Sequence, residues 1–116
     1  MTEEKKEVKT EQKRIGELTP EALEALKAKT RGRVYLVEIT DEDEVHCLYL
    51  RRPDFNVLKA VSAMSKTDEL ESSLVFLRNC RVAGSDAVLE DGVLALAAAQ
   101  AAASLLTSAK ASLKNL

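Results

Sequence analysis

The feature that most constrains this chain is a charge-free, alanine-rich segment near its carboxyl end. Residues 93–109 form a run of seventeen residues without a charged residue, a proline or a glycine. Alanine and leucine are the strongest apolar helix formers, so the run predicts one long helix. On a helix, Gln100, Ser104, Thr107 and Lys114 form one narrow polar stripe, and almost everything else around the helix is apolar. The rest of the helical surface is apolar and must be buried against something.

Two interpretations of this predicted helix stay open. Alanine packs closely, so the helix either forms the central rod of a small bundle or presents an intermolecular surface, and both can hold at once. We expect four leucines of this segment to contact a partner: Leu94, Leu96, Leu105 and Leu106. Consecutive side chains diverge by about 100° around a helix, so at most one of Leu105 and Leu106 should belong wholly to the core.

Size and composition limit the classes of protein to which the chain can belong. Its 116 residues are enough for one domain with a single modest core. A formal net charge of −2, two tyrosines, two phenylalanines and no tryptophan argue against a nucleic-acid partner. The alanine-rich run has only the minimum length of a membrane span, and its alanine, serine and threonine content is unfavourable there. We therefore expect neither a nucleic-acid nor a membrane partner.

The amino-terminal region divides into a charged arm and a first helix. Residues 1–17 mix charges of both signs with few apolar residues, so they predict a disordered arm on which the fold does not depend. No hydrophobic leader is visible in it, which predicts a reducing, cytoplasmic location. Thr19 is the predicted N-cap of a short helix, with Pro20 in its first position. A single domain is expected over 18–116.

A β-hairpin is predicted next. Residues 33–40 and 45–50 are rich in β-branched and aromatic residues, and the acidic run 41–44 forms the turn between them. This loop length predicts a register with two diagnostic pairs, Thr40 with Val45 and Tyr35 with Leu50. Both faces of the hairpin are largely apolar, whereas one solvated face should give a clean alternation. The second apolar face is another indication that something else completes the domain.

Helices are predicted for most of the remaining chain. Pro53 ends the second strand, and Asp54 caps a helix. Asp68 and Glu71 have the spacing of a capping box at the start of the next helix. A connector with one turn of helix then leads to the alanine-rich helix. The predicted fold class is α+β: a short N-terminal helix, a β-hairpin, then three helices including the long Ala-rich C-terminal one.

No catalytic or metal-binding pattern accompanies these elements. His46 and Cys47 are adjacent on a strand and point to opposite faces, so they cannot form a dyad. His46 with Cys80 is geometrically possible, but neither has an orienting Asn or Asp motif. One histidine and two distant cysteines also fall short of a structural zinc set. We predict no enzyme activity and no cofactor, with His46 on a partly exposed edge and both cysteines as free buried thiols.

Two arginines are the most specific polar feature. Arg51 and Arg52 stand at the end of the second predicted strand, where paired guanidinium groups can hold an acidic partner segment bidentately. A surface ion pair with Glu38 or a neighbouring carboxylate is the alternative.

The order of several short patterns points to a known family. A strand at 34–38 is followed by the strand end Tyr-Leu-Arg-Arg-Pro at 49–53 and a helix. Leu-Arg-Asn-Cys-Arg-Val at 77–82, an acidic connector with glycine and the closing helix complete the pattern. Over roughly residues 33–113 the chain resembles the small tail assembly chaperones of long-tailed bacteriophages and prophages.

This resemblance implies a non-enzymatic function in the cytoplasm of a bacterial host. It implies that the chain binds the tape measure protein or another tail protein and keeps this hydrophobic helical client soluble. Apolar faces of the hairpin and the last helix would cover client helices, while Arg51 and Arg52 steer acidic client segments. Weak self-association is expected from such surfaces. The alternative is a structural subunit or small homo-oligomeric adaptor of a phage-like particle.

Overall fold

The structure is a computed structural model that describes residues 12–30, 33–107 and 109–116. Over these residues it contains four strands and five α-helices, which confirms the predicted α+β class. The strands are β1 (Lys13–Ile15), β2 (Tyr35–Asp41), β3 (Glu44–Leu50) and β4 (Arg81–Gly84). The helices are α1 (Pro20–Lys29), α2 (Phe55–Ser65), α3 (Glu69–Cys80), α4 (Ala87–Glu90) and α5 (Gly92–Ala102), and α5 continues into a 3₁₀-helix, Ala103–Thr107.

Strand β3 is the centre of the sheet. Strand β2 pairs with it antiparallel over its whole length. The other edge of β3 is shared, because β1 runs parallel to its first three residues and β4 runs antiparallel to its last three. Strands β1 and β4 therefore lie end to end. Gly16 and Gly84 close the junction between them, both with positive φ and both against the backbone of Cys47.

The predicted hairpin register is confirmed. The structure contains both diagnostic pairs, Tyr35 with Leu50 and Thr40 with Val45. Pairing extends one step further, to Asp41 opposite Glu44, so the turn has two residues instead of the predicted four. Glu42 at the turn has a φ of 58°, a left-handed conformation of the kind that tight hairpin turns require.

One face of the sheet carries the main hydrophobic core. Val37 and Ile39 of β2 and Leu48 and Leu50 of β3 point to this side, as alternation along each strand dictates. Helices α2 to α5 cover them and contribute the remaining buried side chains: Val57, Phe76, Leu77, Cys80, Val88, Leu94, Ala95, Ala98 and Ala102. Helix α5 lies across β2 and against α3 and α4, which makes its inward face part of this core.

The opposite face of the sheet has its own smaller cluster. Val45, Cys47 and Tyr49 of β3 are buried there, and Leu23 and Leu26 of α1 pack against them. The second apolar face of the hairpin is therefore covered by a helix of the same chain. The sequence pattern did not show which element buries this face. The structure shows that the apolar side of α1 packs against it.

The amino-terminal part of the described chain corrects the prediction of a disordered arm over 1–17. Described residues begin with strand β1 rather than with a helix, and Arg14 in this strand forms ion pairs with Glu17 and Glu38. Residues 1–11 of the predicted arm lie outside the described residues. The mixed charge did not reveal the strand because its stability comes from backbone pairing with β3, which is distant in sequence. Helix α1 begins as predicted, with Thr19 Oγ1 accepting a hydrogen bond from the Ala22 amide.

We expect a chain that starts at Leu18 to be less stable than one that starts at Gln12. Loss of β1 removes backbone hydrogen bonds to β3, worth about 0.5–1.5 kcal/mol each, and opens an edge of the central strand. Urea denaturation followed by circular dichroism should give a difference of about 2 kcal/mol. Both chains lack the same first eleven residues, so equal denaturation midpoints would show that β1 is not needed for the fold.

The carboxyl-terminal segment is helical over a shorter stretch than predicted. The α-helix ends at Ala102, the 3₁₀-helix ends at Thr107, and residues 109–116 have no regular structure. Tightening of a last turn into a 3₁₀-helix is common where α-helices end. Leu94, Ala95, Ala98 and Ala102 form the buried side of α5, so the helix is apolar all round but buried on one side only.

The remaining helix starts follow the predicted caps. Asp54 accepts a hydrogen bond from the amide of Val57, and Asp68 accepts one from the amide of Glu71. The single turn α4 also lies where the sequence predicts it. No helix in the described ranges combines the length and the hydropathy that crossing a bilayer requires.

Candidate functional site

The six predicted partner-binding residues do not form one surface. Leu94 is only 4% exposed and belongs to the main core, so its predicted partner contact is wrong. Leu105 is half-buried against the same core, whereas Leu106 is half-exposed. This inequality confirms that at most one of the two leucines belongs to the core. Leu96 is 50% exposed.

The arginine pair has a different environment from the predicted one. Arg51 donates hydrogen bonds from its guanidinium to the carbonyl oxygens of Arg52 and Asn79, at 3.2 and 2.9 Å. Its backbone amide also donates to the Cys80 carbonyl. Arg51 thus ties the end of β3 to the end of α3, where carbonyl groups of the helix lack intrahelical partners. Arg52 is half-buried beside it.

An exposed groove runs between α3 and α5. It has a volume of about 310 Å³ and is lined by Glu69, Leu70 and Ser73 of α3 and by Leu96, Ala99 and Gln100 of α5. Each set has the spacing of one helix face, so the two helices present matching walls. Leu70 and Leu96 are the large apolar side chains of these walls, at 58% and 50% exposure. Ala99 packs against the core.

Leu70 is a site residue that sequence reasoning did not find. It belongs to the same periodic series as Leu74 and Leu77, which suggests that all three face the core. Leu77 is fully buried and Leu74 packs against the core, but Leu70 in the first turn of α3 does not belong to it. A signal was present in its neighbours, because Asp68 and Glu69 mark the helix start as a solvated end.

The chemistry of this groove suits a ligand that has an apolar surface and a basic residue at the edge of that surface. Leu70, Leu96 and Ala99 supply its apolar surface, Ser73 and Gln100 are polar, and Glu69 is the one charged residue among the described residues that line it. The hydroxyl of Ser73 already donates to the Glu69 carbonyl, so a ligand does not have to supply a hydrogen-bond acceptor for it. Such a site can take up the apolar side chains of a helix, with a cation placed near Glu69.

A second groove of about 400 Å³ lies between α1 and the sheet. Its apolar lining includes Leu18, Leu36 and Tyr49, and the Tyr49 hydroxyl accepts a hydrogen bond from the Leu18 amide. Glu17 and Lys27 place one charge of each sign in its lining. None of the six predicted site residues lines it.

His46 is buried, which corrects the expectation of a partly exposed edge. Its Nδ1 lies 2.9 Å from Ser85 Oγ, and its Nε2 lies 3.3 Å from a carboxylate oxygen of Glu44. A serine, a histidine and a carboxylate in a row resemble a hydrolytic arrangement. However, Ser85 is only 3% exposed, and its amide donates to the Cys47 carbonyl beneath the sheet junction. We interpret the row as a structural link between β3 and the segment after β4.

The two cysteines are free and fully buried on opposite faces of the sheet. Burial raises the pKa of the Cys80 thiol to about 11, against a smaller opposing effect of Arg51. Burial also raises the pKa of Cys47, although Arg14 opposes this change. Both side chains are therefore neutral thiols near pH 7, whereas a nucleophilic cysteine needs a thiolate. The described residues contain no group of three or more possible metal ligands.

We expect neither thiol to react readily with a disulfide reagent in the native protein at pH 8. The thiolate fraction falls tenfold per pKa unit, so Cys80 should react about a hundredfold more slowly than an ordinary cysteine. In concentrated urea both thiols should react at once, and a Cys47→Ala variant assigns the remaining signal to Cys80. A fast native phase would contradict the burial of whichever cysteine produces it.

Comparisons of this chain with protein-family models, with curated proteins and with solved structures find no match.

Proposed function

We propose that this protein is a non-enzymatic binding module that shields a hydrophobic helix of a client protein in the groove between α3 and α5. The observation that carries the proposal is the pair of half-exposed leucines, Leu70 and Leu96, on opposite walls of one groove. Large apolar side chains that meet across a concave surface on two packed helices are typical of helix-in-groove recognition.

The client that we propose is the tape measure protein, or another tail protein, of a phage or prophage. The resemblance of the chain to small tail assembly chaperones supports this choice. A tape measure protein is long, helical and hydrophobic, so it needs such a shield before assembly. The groove accommodates one apolar stripe of a client helix, and Glu69 favours a basic residue beside that stripe.

The arginine pair has a smaller role in this proposal than in the prediction from sequence. At the end of α3, the guanidinium of Arg51 donates a hydrogen bond to the Asn79 carbonyl and its backbone amide donates one to the Cys80 carbonyl. Removing its guanidinium would leave helix-end carbonyls without their partner, so its first effect would be on stability. We therefore assign client binding to Leu70 and Leu96.

Leu96→Glu tests this function, with Val93→Glu as its matched control. Both residues lie on α5 and are exposed, Val93 at 76%, but only Leu96 lines the groove. Leu96→Glu should weaken capture of the co-expressed tape measure protein at least about tenfold, because client binding would desolvate an unpaired carboxylate. Val93→Glu should leave capture unchanged.

Thermal denaturation of both variants provides the control for folding. Exposed substitutions of this kind change stability by about 0.5 kcal/mol or less, so both melting temperatures should stay near the wild-type value. Undiminished capture by a folded Leu96→Glu variant would contradict the proposal. A defined oligomer of the isolated chain that Leu96→Glu dissociates would contradict it as well, in favour of a structural subunit.

A further inference from the structure

Residues 109–116 carry apolar side chains that no other part of the described chain covers. Residues 109–116 have no regular secondary structure, and Leu113 and Leu116 are both fully exposed. Exposed leucines are ordinary one at a time, but two in one short tail form an apolar edge that gains from burial.

The charges of this tail complement the groove between α3 and α5. Lys110 and Lys114 are the only charged side chains in the tail, so the segment is basic. Of the described residues that line the groove, Glu69 alone is charged. A basic, leucine-bearing segment is the kind of ligand that an apolar groove with one acidic edge selects.

The tail is also long enough to return to this groove. From Gln100 to Thr107 the chain advances by about 13 Å, given the rise of an α-helix and of a 3₁₀-helix. From Thr107 an extended chain reaches about 20 Å at Leu113 and about 30 Å at Leu116. Leu96 precedes Gln100 by about 6 Å along α5, so Thr107 lies about 19 Å past the level of Leu96. Leu116 can return to this level with length to spare, and Leu113 reaches it when the tail is nearly fully extended.

We propose that residues 109–116 fold back into the groove between α3 and α5 of the same molecule. Leu113 enters between Leu70 and Leu96, and Lys114 lies near Glu69. The occupied groove is shielded from solvent until a client displaces the tail. This last consequence rests on the proposed function, whereas the docking of the tail does not.

Disulfide trapping tests the docking without altering the leucines. Ser73→Cys places a thiol in the groove, and Ser112→Cys places one beside Leu113. The control pair combines Ser112→Cys with Ala97→Cys, because Ala97 is exposed on α5 but does not line the groove. The native cysteines are fully buried and should not interfere.

The full-length variants are equilibrated at low concentration in a glutathione redox buffer and analysed by mass spectrometry. The groove pair should close within one molecule with an effective concentration about tenfold above that of the control pair. Equal closure of both pairs would overturn the proposal. Disulfides that form only between two molecules would overturn it too, in favour of a tail that docks on a second copy.

Measurements of client affinity then distinguish tail docking from the proposed client-binding function. In a Leu113→Ser/Leu116→Ser variant the groove is always open, so the client should bind about threefold more tightly or better. Unchanged affinity, with Leu96→Glu still abolishing capture, would overturn tail competition and leave the proposed function intact. Preferential closure of the groove pair in a chain that binds no client would support docking and contradict the proposed function.

Discussion

Gly84→Ala is expected to destabilise the protein by about 3 kcal/mol or more, or to prevent folding. Gly84 has a φ of 117°, a conformation that side-chain-bearing residues rarely adopt. A Cβ atom at this position would also meet the Cys47 carbonyl oxygen and the Leu48 Cα within 3 Å. Both are backbone atoms of the central strand, so neither can move aside without breaking the sheet. Urea or thermal denaturation measures the loss.

Gly92→Ala is the matched control for this prediction. Gly92 is the first residue of α5, and a Cβ atom there would meet nothing within 4 Å. Because alanine lowers the conformational entropy of the unfolded chain, the variant should be unchanged or up to about 1 kcal/mol more stable. Similar stabilities for the two variants would show that the junction of β1 and β4 is not as tightly closed as we describe.

Leu77→Ala should cost about 2–5 kcal/mol, which is the second large effect that we expect. Leu77 is fully buried in the main core, where its removal would leave a cavity that the packed helices and sheet can fill only in part. Leu70→Ala, seven residues earlier on the same helix, should cost less than about 1 kcal/mol. Leucine and alanine have similar helix propensities, so the difference between the variants reports burial.

The two denaturation curves of this pair also bear on the candidate site. A small effect of Leu70→Ala means that the isolated protein does not use this leucine for its own stability. An equally large loss at Leu70 would contradict its assignment as an exposed groove residue. It would show instead that another part of the chain or a second molecule already buries it.

The helix starts and the hairpin register were predictable because they depend on nearby residues. Thr19, Asp54 and Asp68 each bond to an amide three residues further along the chain, so a short sequence window contains both partners. The hairpin register follows from loop length and from alternation along two adjacent strands. The predicted turn was longer than the observed one, because the acidic residues at its ends still pair as strand residues.

The candidate groove was predictable only in part. The alanine-rich run contains too few polar residues to show which side of α5 faces inward, and it therefore suggested Leu94 and Leu96 alike. Packing against β2 and α3 buries Leu94 and leaves Leu96 half-exposed. Leu70 lies on a side of the first turn of α3 that stays exposed, whereas Ser72 in the same turn is buried, and the spacing of the leucines does not reveal this difference.

The sequence by itself determined where most helices and both hairpin strands begin and how the hairpin is paired, since these choices rest on local hydrogen bonds and side-chain periodicity. Only the tertiary structure decided that Lys13–Ile15 forms a strand, that His46 is buried against Ser85, and which leucines of α3 and α5 remain exposed. Each of these outcomes depends on contacts between residues far apart in the chain. Burial by distant partners overrides local propensity, and no short window of sequence contains those partners.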